Sequence, residues 1–481
     1  MIFNSLTYLL LLTVVVFFYW TLPFSTRLLL VFSTSIIFYG FWRIEFIPVL
    51  MFSVFVDWWA ALRMSSVADK KRVKFLFLSI FINIGLLFYF KYLTFFADNL
   101  IAFSNVFGAQ LDPVVINIIL PLGISFYTFQ TISYTVDVYR RNIDPEKSFL
   151  LFACYVTFFP QLVAGPILRA SEVIDQFVKR KSFGFEHISV GLRRILYGLF
   201  LKVVLADNIA PLVDQGYALP VETMSALDVW TLAFLFGFQI YFDFSAYSHI
   251  ALGSARLLGI VFPENFNFPY LANSPRDFWR RWHISLSSWI RDYIYLPLNG
   301  AKVLGKSAGG LTIAASEIGK SRALYATWAI MGLWHGASWT FVVWGIYHAL
   351  MISIYRFISP LGEEINHKVK TIGGVFVTLP IMMLGWIPFR AESLDQTFDM
   401  WIKVFDISGY FWLGMRENTY LITFILLLGV ILFSFLRKVF FVDSPLQNLG
   451  KQLLDFTAIA VMVAAVIVFL RPISQFIYFQ F

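Results

Sequence analysis

A single cysteine occurs in the 481 residues, which excludes any disulfide within the chain and any thiolate metal cluster. Cys154 lies in LLFACYVTFF and reads as a buried small hydrophobe rather than a nucleophile. Charge is scarce too. Asp, Glu, Lys and Arg make up 14% of the chain, where a soluble protein carries about 25%. No polar stretch is long enough to build a second, water-facing core. The sequence also lacks a GxxxxGK[ST] phosphate loop, a GxSxG nucleophile elbow and an HExxH ligand pair. That removes P-loop, serine-hydrolase and zinc-hydrolase chemistry, and no metal site is expected. No internal repeat is visible, which argues against the inverted-repeat architecture of many transporters.

Hydrophobic residues account for 59% of the chain and mean hydropathy is +0.73. Apolar runs recur at 6–22, 28–42, 46–62, 75–96, 114–134, 230–242, 324–351, 371–386, 420–435 and 456–470. Several fall short of the roughly 20 residues that a straight helix needs to cross a bilayer. Tilted, broken or re-entrant helices buried among neighbours are therefore expected. The fold class is an all-α polytopic membrane protein with ten or eleven crossings. Residues 1–481 form one membrane domain: N-terminal helices over 1–119, a polar-rich core over 120–350, and simple helices over 351–481. The opening MIFNSLTYLLLLTVVVFFYW has no basic leader or small-residue cleavage site and reads as a first membrane helix.

The net charge is +8, and its placement matters more than its size. Arg63, Lys70, Lys71, Arg72 and Lys74 fill one short loop, whereas 97–113 has no basic residue. The positive-inside rule puts the first in the cytoplasm and the second outside, with the N-terminus outside. Arg140, Arg141, Lys147 and 179–181 are further cytoplasmic candidates, so 149–165 should dip in and return. These basic loops read as topology and contact with anionic membrane lipids, not nucleic-acid binding. The glycine-rich stretch 307–322 reads as a loop or short interfacial excursion.

Two blocks carry the unusual chemistry. Arg276–Leu298, RDFWRRWHISLSSWIRDYIYLPL, crowds four arginines, three tryptophans and one histidine into an oily chain. Trp279, Trp282, Ile284, Leu286, Trp289 and Ile290 could share one side of a helix lying in the membrane interface, with Arg280, Arg281 and Arg291 opposite. The second block, LWHGASWTFVVW from Leu333, sets Trp334 and His335 inside an almost uncharged run. An ionisable group at membrane depth is costly and is a functional candidate by default.

Of six histidines, His187 and His367 sit in polar loops and are expected to be solvated, and His348 reads as a packed residue. His283 and His335 are the candidates for catalysis. A desolvated, neutral imidazole can take the proton of a hydroxyl as that oxygen attacks an acyl carbonyl. A second imidazole can orient the donor or stabilise the oxyanion. Arg280, Arg281 and Arg291, with Lys302 and Lys306 beyond, would suit the phosphates of coenzyme A, and Trp282 and Trp334 join the three arginines as donor-binding candidates. The plain alternative is that His335 bonds a neighbouring helix and the arginines bind lipid phosphate.

Several stretches together resemble the membrane-bound O-acyltransferases, in particular the bacterial branch typified by the alginate O-acetyltransferase membrane subunit. They are LPLGISFYTFQTISYTVDVYRR, FFPQLVAGPILR, FGFQIYFDFSAYS, PENFNFPY, the Arg276–Leu298 block, GLWHGASWTFVVWG and GWIPFRA. They span about half the chain. The resemblance implies a ring of helices around a central tunnel, with His335 the key catalytic residue and His283 its companion. It implies that acetyl groups pass from a cytoplasmic donor, acetyl-CoA, across the bacterial inner membrane for O-acetylation of an exported polysaccharide. No resident cofactor is implied. A separate SGNH-hydrolase-like acetyltransferase is the implied partner, because this chain has no such domain. The polymer stays open among alginate, cellulose, peptidoglycan and others. Two positions depart from the family pattern: His249 stands where an acid is expected, and Asn299 where glycine is usual. Asp243 reads as a buried polar partner near the path. D-alanyl transfer to teichoic acid is the rival within the enzyme class, and a lipid-linked sugar flippase the rival outside it.

Overall fold

The computed structural model describes residues 3–108, 111–112, 118–163, 165–300, 303–307, 310–313, 321–359, 367–440, 449–472 and 476–477. They are helical almost throughout. Among the described residues the only strands are Val303–Ser307 and Gly310–Ile313, a short antiparallel pair where the sequence suggested a loop. Among the described residues six helical stretches are long and apolar enough to cross a membrane: 44–65, 69–106, 185–217, 226–257, 339–358 and 372–390. Four further apolar helices, at 6–21, 24–40, 417–432 and 455–468, are shorter. Large apolar side chains such as Phe17, Phe77, Phe81 and Phe424 stand exposed on these helices. In water they would be a liability; against lipid tails they are the expected outer surface.

The chain divides into two compact units. The first comprises residues 1–192, 251–263 and 288–319. Its helices Ile47–Ser65, Asp69–Leu87 and Ile124–Tyr139 close around a fully buried polar cluster. There Asp57 accepts hydrogen bonds from Ser79 (2.5 Å) and from Asn83 (2.9 Å), while Ser53 donates to Asn83 (2.8 Å). In an apolar interior each of these groups must find its partner within the protein. Among the described residues of the expected run 114–134, the helix begins at Ile124. Gly123 sits before it at φ +74, and a Cβ there would strike the Leu162 carbonyl, so only glycine fits. Phe149–Thr157 is a buried nine-residue helix. At about 1.5 Å per residue it is less than half of a bilayer core. Within it Cys154 is fully buried and donates to the Leu28 carbonyl (3.2 Å).

The second unit comprises residues 193–250, 264–287 and 320–481. Most of the helix Ala226–Leu257 belongs to it, and that helix is buried along most of its length. The apolar run expected at 324–351 is two helices, Ser321–His335 and Trp339–Ile358, packed as a hairpin. Glycine allows the close approach: a Cβ on Gly332 would strike the Phe341 carbonyl, and one on Gly345 the Trp328 carbonyl.

The Arg276–Leu298 block corrects the reading of one continuous interfacial helix. It is a helix Pro275–Arg281, a turn at Trp282–His283, and a second helix Ile284–Ile290, followed by a wider-wound segment Arg291–Tyr295. Trp279, Trp282, Leu286, Trp289 and Ile290 are buried, but they are spent on two separate helices. His187 is also not simply solvated. It lies half-buried in the helix Phe185–Leu199 and stacks on Trp20 at 6.1 Å. His367 begins the helix His367–Leu384, and its side chain is outside the described residues, as are those of Lys302 and Lys306.

Candidate active site

His283 owes its place to the break between two helices. Its φ of +40 is left-handed, a conformation in which His, Asn and Asp are enriched among non-glycine residues. The turn is tied to a second segment by Asn265. The Asn265 carbonyl accepts from the Ile284 amide (2.9 Å), and its side-chain oxygen accepts from the Ser285 hydroxyl (2.9 Å) and amide (3.3 Å). Its side-chain amide donates in turn to Ser248 (3.1 Å) on the long buried helix. Asn265 went unnamed at the sequence level, although PENFNFPY was itself conspicuous. Two adjacent polar residues, Glu264 and Asn265, ahead of an aromatic run in a membrane chain are the signal that could have found it.

The His283 ring is fully buried and packs 4.6 Å from the Phe244 ring. Its Nδ1 accepts a hydrogen bond from the Leu286 amide at 3.1 Å. An amide can only donate, so the neutral ring carries its proton on Nε2. Burial pushes its pKa down to about 3, which keeps the ring neutral at physiological pH. His283 is therefore a hydrogen-bond donor at Nε2 rather than a base.

His335 is the last residue of its helix, not a mid-run residue. The turn Gly336–Ser338 follows, and the Ser338 hydroxyl caps the next helix by accepting from the Thr340 amide (3.3 Å). A Cβ on Gly336 would collide with the Phe341 ring. WHGAS is thus a helix end, a tight turn and a helix start, holding a nearly buried imidazole among Trp334 (4.9 Å), Trp344 (4.9 Å) and Phe389 (5.2 Å). The Trp334 ring also lies 6.4 Å from His283. One indole connects the two imidazoles, which are 52 positions apart in sequence.

Other candidates fall elsewhere. Trp282 is buried against Trp386 (4.7 Å) and Phe266 (5.1 Å). Arg281 is paired with Asp277 (2.9 Å), and Arg280 is exposed. Arg291 belongs to the other unit and pairs with Asp292 (2.7 Å). Each of these arginines is described within its own unit. Asp243 binds Lys202 (2.6 Å), which also binds Asp207 (2.9 Å), and it accepts from the Ile477 amide (2.7 Å). His249 faces Arg194 (3.4 Å) and the Tyr197 ring (4.7 Å). The carboxylate that Arg194 requires comes from Glu264, so a histidine at 249 leaves no arginine unpaired. His348 is fully buried among Trp279, Trp328, Trp344 and Trp386, and among the described residues neither ring nitrogen finds a hydrogen-bond partner. Trp344 lies 4.9 Å from both His348 and His335. Among the described residues no cluster of three or more His, Cys, Asp or Glu could hold a metal ion.

The family model of the membrane-bound O-acyltransferases matches residues 140–389, just over half of the chain and the part that carries both imidazoles. The chain belongs to the membrane-bound O-acyltransferase family. It is an acyltransferase of the membrane. The chain is 34% identical to the probable alginate O-acetylase AlgI of Azotobacter vinelandii, with 96% of each chain covered. It is 35% identical to the probable alginate O-acetylase AlgI of Pseudomonas aeruginosa, over 88% of this chain and 78% of that one. It is also 34% identical to the peptidoglycan O-acetyltransferase of Helicobacter pylori, over 80% and 75% respectively.

Proposed function

We propose that this acyltransferase takes an acetyl group from acetyl-CoA at the cytoplasmic face of the inner membrane and passes it outward for O-acetylation of an exported polysaccharide. The observation that carries the reading is the contact of one indole, Trp334, with both His335 and the proton-donating His283. The relatives named for O-acetylation of two different polymers support the acetyl group and leave the polymer open. Acetyl-CoA enters as a substrate, not a resident cofactor. A membrane-anchored or periplasmic acetyltransferase of the SGNH-hydrolase type is the expected recipient. The basic loop around Lys70–Lys74 would face the cytoplasm, with the N-terminus outside.

In this reading the acceptor hydroxyl attacks the thioester carbonyl and gives its proton to His335. The carbonyl electrons move onto oxygen, where the Nε2–H of His283 would meet the developing charge. Collapse breaks the C–S bond, and the proton held by His335 passes to the departing thiolate. Protein in detergent with acetyl-labelled CoA should release free CoA in step with acetylation of an added hydroxyl acceptor. Movement of a lipid-linked sugar with no CoA release would reject the assignment in favour of a flippase.

The role of His283 has its own test. Asparagine tolerates the left-handed backbone and can still accept from the Leu286 amide, but it lacks the Nε2 donor. His283→Asn should lower kcat by about 10²–10³ while KM for acetyl-CoA moves little. An unchanged kcat would remove His283 from oxyanion stabilisation.

A further inference from the structure

In the first unit three sequence stretches far apart in the chain bring three arginines to one place. Arg140 ends the helix Ile124–Tyr139, Arg169 precedes the helix Ala170–Val178, and Arg291 opens the segment Arg291–Tyr295. They gather around Asp292, whose side chain is 2% exposed. Arg169 donates to one Asp292 oxygen (2.6 Å) and Arg291 Nε to the other (2.7 Å). The guanidinium carbons of Arg140 and Arg169 lie 5.4 and 5.3 Å from the Tyr293 ring centre. Tyr293 is itself fixed, because its hydroxyl donates to Asp137 (2.7 Å).

The carboxylates here are fully engaged. Both Asp292 oxygens hold arginines, and the Asp137 oxygens accept from Tyr293 and Asn142 (3.1 Å). Glu172 accepts from the backbone amide of Arg169 (3.1 Å) as a helix cap. The arginines are not fully engaged. Among the described residues, half-buried Arg140 makes one polar contact, at 3.5 Å to the Asp292 carbonyl. Arg291 is 57% exposed and, among the described residues, spends only Nε, which leaves both terminal nitrogens for a ligand. A buried ion-pair network needs no such surplus. Guanidinium groups held in place, with unspent donors beside a half-buried rim, match the oxygens of a phosphate monoester or diester.

We propose that Arg140, Arg169 and Arg291 form a phosphate-binding site, with Arg140 and Arg291 contacting the ligand and Arg169 holding Asp292 beneath them. Two sources fit this chemistry: the nucleotide phosphates of the thioester donor, or the headgroup of an anionic lipid. The first rests on the acetyl-CoA reading above.

The test uses full-length protein in nanodiscs and the double variant Arg140→Gln/Arg291→Gln, leaving buried Arg169 in place. Adenosine 3′,5′-bisphosphate, the phosphate-bearing fragment of coenzyme A, is one probe, and phosphatidic acid titrated into neutral nanodiscs is the other. If the donor binds here, Kd for the bisphosphate rises at least tenfold in the variant while phosphatidic acid binding is unchanged. A tenfold loss for phosphatidic acid alone keeps the site and assigns it to lipid. No change with either probe, at an unaltered melting temperature, overturns the site. A variant that melts early is replaced by Arg140→Lys/Arg291→Lys, which keeps the charges but loses the planar fork, and the same three outcomes apply. Wild-type protein that binds the bisphosphate yet releases no CoA from acetyl-CoA would sink the catalytic reading and leave the site standing.

Discussion

His335→Gln is expected to remove acetyl transfer to below about 10⁻² of wild type, within the range a lost general base accounts for. Glutamine has much of the ring's volume and can still hydrogen-bond, but it cannot take up a proton near neutral pH. His335→Ala should be as inactive and also less stable. The imidazole fills a space between Trp334, Trp344 and Phe389, and its deletion leaves a cavity. Such a cavity costs on the order of 2–3 kcal/mol. The pair separates chemistry from packing: both variants lose activity, and only alanine lowers the melting temperature. Acetyl content of the exported polymer, with the protein's level in the membrane measured in parallel, is the readout in cells. Wild-type acetylation in the glutamine variant would mean that His335 is a packing residue and that another group takes the proton.

Gly345→Val should be at least as damaging, for the opposite reason. Gly345 carries no chemistry, but its Cα faces the Trp328 carbonyl so closely that any Cβ overlaps a backbone atom. A flexible side chain could swing away; a helix backbone cannot. The helices Ser321–His335 and Trp339–Ile358 must move apart, at a cost of about 2 kcal/mol or more. The displacement would carry His335 and Trp344 away from each other. The expected result is a fall of several degrees in melting temperature together with loss of acetyl transfer. Gly373, which has nothing within reach of an added Cβ, serves as the control, and Gly373→Val should leave both readings near wild type. A stable, active Gly345→Val would show that this hairpin does not depend on close backbone approach.

The two substitutions mark how far the sequence could be read. His335 stands out on composition alone, because an imidazole in an uncharged run has no cheap explanation. Gly345 does not, because glycine is common in membrane helices and its role depends on what lies opposite. Arg280, Arg281 and Arg291 looked alike within one short block. The fold pairs Arg281 with Asp277, leaves Arg280 exposed, and sends Arg291 to Asp292 beside Arg140 and Arg169. Periodicity could not foresee those pairings, since it assumes one continuous helix, and the left-handed turn at His283 breaks it.

By itself the sequence determined that this protein lives in a membrane and that it is helical, and it singled out two histidine-bearing blocks as the candidates for its chemistry. Those properties follow from transfer free energies, which act residue by residue and so are written in composition and order. Only the tertiary structure decided which side of the His283 ring carries its proton and which indole joins the two imidazoles. It also decided which arginines keep donors to spare. The last two depend on partners distant in the chain, such as Trp334 for His283 or Arg169 for Asp292, and no local pattern encodes such a pairing; the first follows from the left-handed turn that sets the Leu286 amide against the His283 ring.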